Sequence, residues 1–509
     1  MHPRSQRFVL CFLGCASICA GNAPCDRHSD FFRGSLTIFT KVLIANRGEI
    51  ALRINRACQE LGVRTVAIFS EADRESLHVR QADEAFCVGP GPVARSYLNI
   101  PNIISTALIT GCDAIHPGYG FLAENARFAQ ICSDHGLTFI GPKPEVIAAM
   151  GDKATAKRVM REAGVATTPG TDILESVDEA LHAGKRLGYP VLLKATAGGG
   201  GKGMRVVENA SDMDRAFASA TAEAEASFKD GRVYMEKLII DPRHIEVQVL
   251  GDEFGNIVTF GERDCSVQKP SHQKLIEESP APHLSDRARR ALLEMAVRAC
   301  KHVRYSNAGT LEFLVSRNDV YFMEMNTRIQ VEHPVTEMVY SVDLVKEQIR
   351  IAAGEPLGYA QHDLQLRGHA IECRINAEDP QNNFAPQAGT LTKVVFPGGP
   401  GVRVDTHVFS GASVPPYYDS MIAKVVAFGA SREASIARME RALRETVVEG
   451  VSTTIDYCLE ILATPQFREG RYDIGFLPRL LGQSPESSKG APPSAAHPQP
   501  AKPVGSPER

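Results

Sequence analysis

Short apolar runs alternate with amphipathic stretches through the first third of the chain. Lys41-Val-Leu-Ile-Ala45 is one such run, an amphipathic segment follows from Glu49 to Leu61, and Arg64-Thr-Val-Ala-Ile-Phe69 is the next run. Strand, turn, helix, strand at this spacing predicts a βαβ unit of an open parallel sheet. Ala114-Ile-His-Pro-Gly-Tyr-Gly120 and Leu137-Thr-Phe-Ile-Gly-Pro142 add strands, each with Gly and Pro at its C-terminal end. Open α/β sheets bind ligands outside those ends. No G-x-G-x-x-G occurs within residues 38–150, which argues against a dinucleotide. His116 and Tyr119 read as residues that pack a turn rather than as catalysts.

From Lys153 the pattern changes. A helical segment runs from Lys153 to about Ala163, and Tyr189-Pro-Val-Leu-Leu-Lys194 is an apolar strand ending in Lys. It leads into the glycine-rich run Ala195–Gly203, after which Met204-Arg-Val-Val207 resumes a strand. Glycines between two strands let backbone N–H groups approach phosphates with no Cβ in the way. The Walker A pattern is absent, so Lys194 and Lys202 mark a polyphosphate lid of another kind. His244-Ile-Glu-Val-Gln-Val-Leu250 alternates strictly and, with Ile257-Val-Thr-Phe260, predicts an antiparallel hairpin. Arg263 to Lys274 is polar and basic and predicts a loop at the edge of a site. A helix is expected from about Ser285 to Val303.

The stretch Tyr321-Phe-Met-Glu-Met-Asn-Thr-Arg-Ile-Gln-Val-Glu-His333 begins as an alternating strand. It predicts Tyr321, Met323 and Met325 on one face and Phe322, Glu324, Asn326 and Arg328 on the other. Beyond Gly354, alternating runs at 368–376, 391–396 and 401–405 and a helical repeat of Ile436, Met439, Leu443 and Val447 predict a mixed α+β region. The fold class expected is thus α/β and α+β multidomain. It comprises a Rossmann-like N-terminal domain (38–150), a middle domain carrying the glycine run (151–354) and an α+β C-terminal domain (368–478).

Composition changes this picture little. With 509 residues, about two to four domains are expected. A net charge of −4 gives no basic footprint for nucleic acid, and no apolar run has the length of a membrane span. Twelve cysteines include no C-x-x-C pair, as in a reduced intracellular enzyme, and a cytoplasmic location is expected. Residues 1–37 stand apart: Arg4 and Arg7 precede an apolar run, Phe8 to Ala20, which resembles a secretory signal or, alternatively, an organelle-targeting segment. They are read as an extension extraneous to the working protein, and Pro-, Ser- and Ala-rich 483–509 as a disordered tail.

Glu324 and Asn326 share a strand face, and Glu312 comes from an adjacent apolar segment. Two carboxylates and an amide oxygen are hard ligands of the kind Mg²⁺ or Mn²⁺ takes beside nucleotide phosphates. Lys153, Lys194 and the glycine run supply groups for phosphate. Arg328 and Lys274 suit an oxyanion, and Glu332, a carboxylate among cations, is a candidate general base. The chemistry predicted is ATP-dependent activation of a small carboxylate-like anion through an acyl phosphate.

These residues carry a resemblance. Glu324-Met-Asn-Thr-Arg-Ile-Gln-Val-Glu-His-Pro-Val-Thr-Glu337 resembles the signature of biotin carboxylases, which are ATP-grasp enzymes. So do Lys41 to Arg53, His116 to Leu122, Glu236-Lys237, Pro242-Arg-His244 and Glu372-Cys-Arg-Ile-Asn-Ala-Glu-Asp379. The resemblance spans roughly residues 40 to 480 and implies that 151–354 is an ATP-grasp domain whose lid, at about 167–240, closes over ATP. It also implies carboxylation of carrier-bound biotin by bicarbonate, through carboxyphosphate. It implies Glu332 as base, Lys274, Arg328 and the Val331 backbone around bicarbonate, and Arg374 on the biotin ureido oxygen. It implies Lys153, Lys194, Gly200, Gly201, Glu236, Lys237, Leu238, Ile239, His244, Gln268 and His272 around the nucleotide. Glu312, Glu324 and Asn326 match ligands of two Mg²⁺ or Mn²⁺ ions, Glu312 and Glu324 also meeting ATP.

The family commonly reads Gln-Arg-Arg-His-Gln-Lys where this chain has Gln268-Lys-Pro-Ser-His-Gln-Lys274, one residue longer. Ala197 and Lys202 stand where relatives often have Gly and Arg. No Met-Lys-Met biotin-attachment motif is present, so biotin is expected on a separate carrier protein. Carboxyltransferase subunits and a second copy of the chain are the other partners implied. The acceptor expected is acetyl-CoA, in fatty acid synthesis. Alternatives are propionyl-CoA, another acyl-CoA or pyruvate, or a different ATP-grasp carboxylate–amine ligase.

Overall fold

The structure, a computed structural model, describes residues 38–196 and 204–482. The signal-like extension, the glycine run with Gly200, Gly201 and Lys202, and the 483–509 tail lie outside the described residues.

The first apolar runs pair in parallel. Strands β1 (Lys41–Ile44), β2 (Arg64–Ser70), β3 (Glu84–Gly89), β4 (Ala114–His116) and β5 (Thr138–Phe139) form one sheet in the order β3-β2-β1-β4-β5. The helix Gly48–Glu60 follows β1 and buries Ile50, Leu52 and Ile54. Asn46, just past β1, donates from Nδ2 to the carbonyls of Pro117 and Tyr119 at 2.7 Å each, joining the two turns at the C-terminal ends of β1 and β4. Gly118 makes that join possible: its φ is +65°, and a Cβ there would meet Ile50 and Asn46 at 3.0 and 3.1 Å.

Strands β6 (Gly170–Leu174), β7 (Val191–Ala195), β8 (Met204–Val207) and β9 (Val233–Lys237) make a small antiparallel sheet, order β6-β9-β7-β8. Helices Val177–Leu187 and Met213–Phe228 pack on it over a core of its own, with Leu174, Val191, Leu193 and Met235. Lys194 lies opposite Met204, so β7 and β8 pair up to the edge of the glycine run.

The site is built on a third sheet. It contains β10 (Arg243–Gly251), β11 (Ile257–Gln268), β12 (Lys274–Ser279), β13 (Asn307–Ser316), β14 (Asp319–Asn326) and β15 (His369–Asn376). Strands Met421–Gly429 and Val402–Thr406 complete it. The order is β14-β13-β10-β11-β12-β15, then Met421–Gly429 and Val402–Thr406. One continuous sheet therefore carries the nucleotide-type residues at one end and the Arg374 strand towards the other. The β12–β15 pairing, Glu277 opposite Glu372, is the seam.

Three sequence expectations are corrected. Residues 263–268 are not loop but the second half of the twelve-residue β11, buried throughout. Arg263 is tolerated there because its guanidinium pairs with Glu246 and donates to Gln248, Thr310, Gln330 and Thr336 at 2.9–3.1 Å. On β14 the simple alternation fails. Glu312 faces Glu324 but Phe313 faces Phe322, so Met323 is an extra residue in a bulge. Phe322 turns into the core against Phe313, while Met323 and Glu324 are both sent to the cavity. Finally, Val447 lies in a short strand, Val447–Glu449, beyond the helix Arg432–Glu445. Among the described residues no helix is long and apolar enough to cross a membrane.

Glu278 ties the seam to the C-terminal helices. It accepts from His369 Nε2 at 2.6 Å, from Arg432 Nε and Nη2 at 2.7 and 2.8 Å, and from the Tyr472 hydroxyl. Burial pushes its carboxyl up, but His369 and Arg432 outweigh this and hold it at about 2. A depressed folded value means that Glu278 stabilises fully above the ordinary carboxylate value near 4.5 and progressively less as pH falls towards 2. Glu278→Gln is expected to lower stability at pH 7 by on the order of 3 kcal/mol and to flatten the loss between pH 4.5 and 2, read by urea unfolding across that range. An unchanged acid limb would show that Glu278 is not the group that titrates.

Candidate active site

One cavity of about 640 Å³ is lined by Lys153, Lys194, His244, Gln268, His272, Lys274, Glu312, Glu324, Asn326, Arg328, Val331, Glu332 and Arg374. Sequence positions more than two hundred residues apart thus share one enclosed space. Glu236, Lys237, Leu238 and Ile239 are not among its lining residues. Glu236 instead reaches Lys194 Nζ at 3.2 Å, and Lys237 Nζ donates to the Gly188 carbonyl at 2.7 Å.

The geometric centre is Lys274, which opens β12. Its ammonium donates to Glu246 Oε2 at 2.7 Å, Glu312 Oε1 at 3.0 Å and Glu332 Oε1 at 2.5 Å. Three donors meet three carboxylates, so the group is saturated. Burial pulls this amine down, but the three carboxylates raise it well above the usual range. His244 Nε2 adds a contact to Glu312 at 3.0 Å, and Gln268 Nε2 meets His244 Nδ1 at 2.9 Å. Two groups of acidic, His and Cys donors converge tightly enough for a metal: His244, Glu246 and Glu312, and Glu246, Cys265 and Glu332. Both share carboxylates that already surround Lys274, so their convergence is explained by that ammonium.

The better metal donors are Glu312 and Glu324, directly opposite each other on β13 and β14, and Asn326, whose Nδ2 donates to Glu312 at 3.0 Å. Two carboxylates and an amide oxygen fit a hard divalent cation, and the donor set is suited to Mg²⁺ or Mn²⁺. Lys153 Nζ lies 3.6 Å from Glu324 Oε2, where phosphate and metal charges would share it. Lys194 is pushed down to about 8 by burial and by Lys153.

Glu332 is 2% exposed and lies just before the helix His333–Tyr340. Beyond Lys274 it accepts from Arg374 Nη2 at 3.0 Å. Burial pushes its carboxyl up, but Lys274, Arg374 and Arg263 hold it well below the usual carboxylate range. It is therefore ionised and ready to accept a proton once those cations turn to another anion. Arg328 lies in the same cavity, tied by Nε to Glu124 Oε2 at 2.8 Å and by Nη2 to Asn326 Oδ1 at 3.0 Å. Lys424, fully buried, donates to the Val331 carbonyl at 2.8 Å and fixes the Val331–Glu332 segment against the sheet.

Sequence reasoning missed Glu246, Arg263, Lys424, Glu124 and Lys157. Glu246 was visible as a polar position in the strictly alternating His244–Leu250 run, between His244 and Gln248. Lys157 follows Lys153 by one helical turn and contacts Glu236; burial and the nearby lysines push its amine down to about 6. The long-range partners of Lys424 and Glu124 left no local signal.

Comparison with known proteins agrees with this arrangement. Residues 38–147 match the model for the biotin carboxylase N-terminal domain, and residues 152–360 the ATP-binding domain of the carbamoyl-phosphate synthase L chain. Residues 372–479 match the biotin carboxylase C-terminal domain. The chain is 54% identical over 444 residues to a biotin carboxylase of Nostoc, covering 87% of this chain and 99% of that one. The chain belongs to the biotin carboxylase family. Two solved structures are similar along the same span, each at 49% identity, TM-score 0.84 and 87% coverage of this chain. They are a biotin carboxylase–β,γ-ATP complex from Campylobacter jejuni (99% of that chain) and the biotin carboxylase domain dimer of Hydrogenobacter thermophilus 2-oxoglutarate carboxylase (98% of that chain). The latter was solved with MgADP, ADP and bicarbonate. As a biotin carboxylase this chain is an ATP-dependent ligase with the three-part ATP-grasp architecture.

Removing the central cation of this biotin carboxylase site is expected to be costly. Lys274→Met leaves Glu246, Glu312 and Glu332 buried without their shared donor, and stability is expected to fall by about 3–5 kcal/mol. Denaturant unfolding at pH 8 checks this; a midpoint equal to wild type would mean that the carboxylates are compensated elsewhere.

Proposed function

We propose that the chain carboxylates biotin carried on a separate protein, using ATP and bicarbonate. The observation that carries this reading is the clamp on Glu332: a buried, ionised carboxylate between Lys274 and Arg374, in the same cavity as the phosphate-type lysines. Lys153, Lys194, Gly200, Gly201, Glu236, Lys237, Leu238, Ile239, His244, Gln268 and His272 hold the nucleotide. Glu312, Glu324 and Asn326 hold two Mg²⁺ ions, for which Mn²⁺ can substitute, Glu312 and Glu324 also facing ATP. Bound metal neutralises charge on the transferring phosphoryl group.

Lys274, Arg328 and the Val331 backbone hold bicarbonate. As they turn to this new anion, Glu332 loses part of its stabilisation and its proton affinity rises. It takes the bicarbonate proton, and the freed oxygen attacks the γ-phosphorus as ADP leaves. Carboxyphosphate then breaks down to CO₂ and phosphate. CO₂ is transferred to N1′ of biotin, whose N1′ proton passes to the phosphate just released, with Arg374 stabilising negative charge on the ureido oxygen. The small β6–β9 sheet is read as a lid that excludes water from these labile intermediates.

The chain matches 99% of a relative named biotin carboxylase, which favours a carrier and carboxyltransferase on other chains. Acetyl-CoA is the acceptor proposed. A keto acid is the second reading, because the Hydrogenobacter domain belongs to a 2-oxoglutarate carboxylase. That domain is a dimer, which supports a homodimer here. Eight free cysteines among the described residues fit a reducing, cytoplasmic location.

ADP release by the purified chain with Mg²⁺ is expected to depend on bicarbonate and to yield carboxybiotin from free biotin. Glu332→Gln is expected to cut carboxylation by about 10² or more, with ATP affinity by calorimetry within about threefold. Bicarbonate-independent ADP release would sink the reaction, and a large loss of ATP affinity would move Glu332 to a nucleotide role.

A further inference from the structure

Behind Arg374, away from the cavity residues that the reaction uses, lies a second buried acidic pair. Glu277 on β12 and Glu372 on β15 are directly opposite each other in register, and both are fully buried. Their situations differ. Glu277 Oε1 accepts from Arg374 Nε at 2.6 Å, and the Arg374 Nη2 lies 2.5 Å from it. Both oxygens of Glu372 are buried with no donor at all.

The charged groups around the pair explain why no donor is left. Lys274, also on β12, has all three donors on Glu246, Glu312 and Glu332. Lys424, on the next strand, is committed to the Val331 carbonyl at 2.8 Å and Glu49 Oε1 at 3.1 Å, with Asp405 at 3.7 Å. The Tyr119 hydroxyl is bound to Glu49. Arg374 meets Glu277 through Nε and Nη2 and Glu332 through Nη2. An ionised Glu372 would be a buried charge with no partner, next to the negative charge of Glu277, which costs several kcal/mol.

We propose that Glu277 is a positioning residue for Arg374 and that it shares a single proton with Glu372, so that one carboxylate charge, not two, stands behind the guanidinium. Burial, with Glu277 nearby, raises the Glu372 carboxyl well above its ordinary value, in keeping with the proton residing there. The consequence rests on the role of Arg374 proposed above. Two charges behind Arg374 would more than neutralise it and weaken it as a partner for a developing oxyanion. One charge, delivered to the Nε–Nη2 edge, orients the guanidinium while Nη2 still reaches Glu332, the contact that biotin would take over.

Difference infrared spectroscopy of the full chain at pH 8 tests the proton directly. A protonated-carboxyl C=O stretch is expected in wild type and is expected to vanish in Glu372→Gln. Glu372→Leu serves as a second variant should the amide not fold, and must remove the same band. No such band in wild type, or its survival in either variant, overturns the shared proton. Glu277→Gln is expected to lower the turnover of biotin carboxylation about tenfold or more with the KM for ATP within about twofold, and Glu277→Asp to recover part of the loss. Unchanged turnover in Glu277→Gln overturns the positioning role. Failure of the reaction itself is distinguishable: it shows as bicarbonate-independent ADP release by wild type, which leaves the infrared band where it is.

Discussion

The Lys274 ammonium is the constraint on which this site depends. Three carboxylates from three different segments, Glu246, Glu312 and Glu332, meet on it while fully or almost fully buried. None could lie at these positions ionised without a shared cation, since an isolated buried carboxylate costs far more than one hydrogen bond returns. A lysine has three donors and here each is used, so position and charge are set together. The same saturation makes the cluster responsive. An additional anion can be accommodated only if Lys274 releases part of its hold, and whichever carboxylate is released then gains proton affinity. An ion cluster that stabilises the resting protein is, by the same electrostatics, sensitive to any further anion that draws on Lys274.

That cluster requires the continuous sheet. Glu246 and Glu312 are cross-strand partners on β10 and β13, and Lys274 enters from β12, across β11. Arg374 arrives from β15 through the seam with β12. Had the ATP-binding and C-terminal regions been separate bodies joined by a flexible contact, a guanidinium could not be held 3.0 Å from a carboxylate of the other region. Sheet hydrogen bonding across the boundary supplies the rigidity. The small β6–β9 sheet, which brings Lys194 to the cavity, is built differently, over a core of its own.

Much of this was legible in the sequence where local pattern and chemistry coincide. Glu324 and Asn326 announced a charged strand, Lys153 opened a helix, and Glu332 and Arg328, singled out on the same stretch, line the same cavity. What remained hidden was non-local. The burial of Arg263 could not be read from a polar, basic stretch, because its five donors are satisfied by residues from four other segments. The bulge at Met323 could not be read either, since it is defined by the partner strand's register. Glu277 and Glu372 lie almost a hundred residues apart and acquire meaning only when β12 and β15 pair.

The longer turn between Gln268 and Lys274 shows how a local departure can leave a site intact. An extra residue in a hairpin displaces whichever side chains lie nearest its tip, whereas strand-end residues are fixed by the ladder. Gln268 remains paired with Lys274 in register, and its amide still meets His244. The added length is absorbed at the tip, where His272 adopts a φ of +61°. Lys269 is not among the residues lining the cavity and is buried against the C-terminal region. There it pairs with Glu378 at 2.6 Å and lies over the Phe384 ring, while Ser420 donates to the same carboxylate at 2.6 Å. Lys269 is thus a second tie across the seam that Glu277 and Glu372 span. That tie reinforces the continuity on which the placement of Arg374 depends.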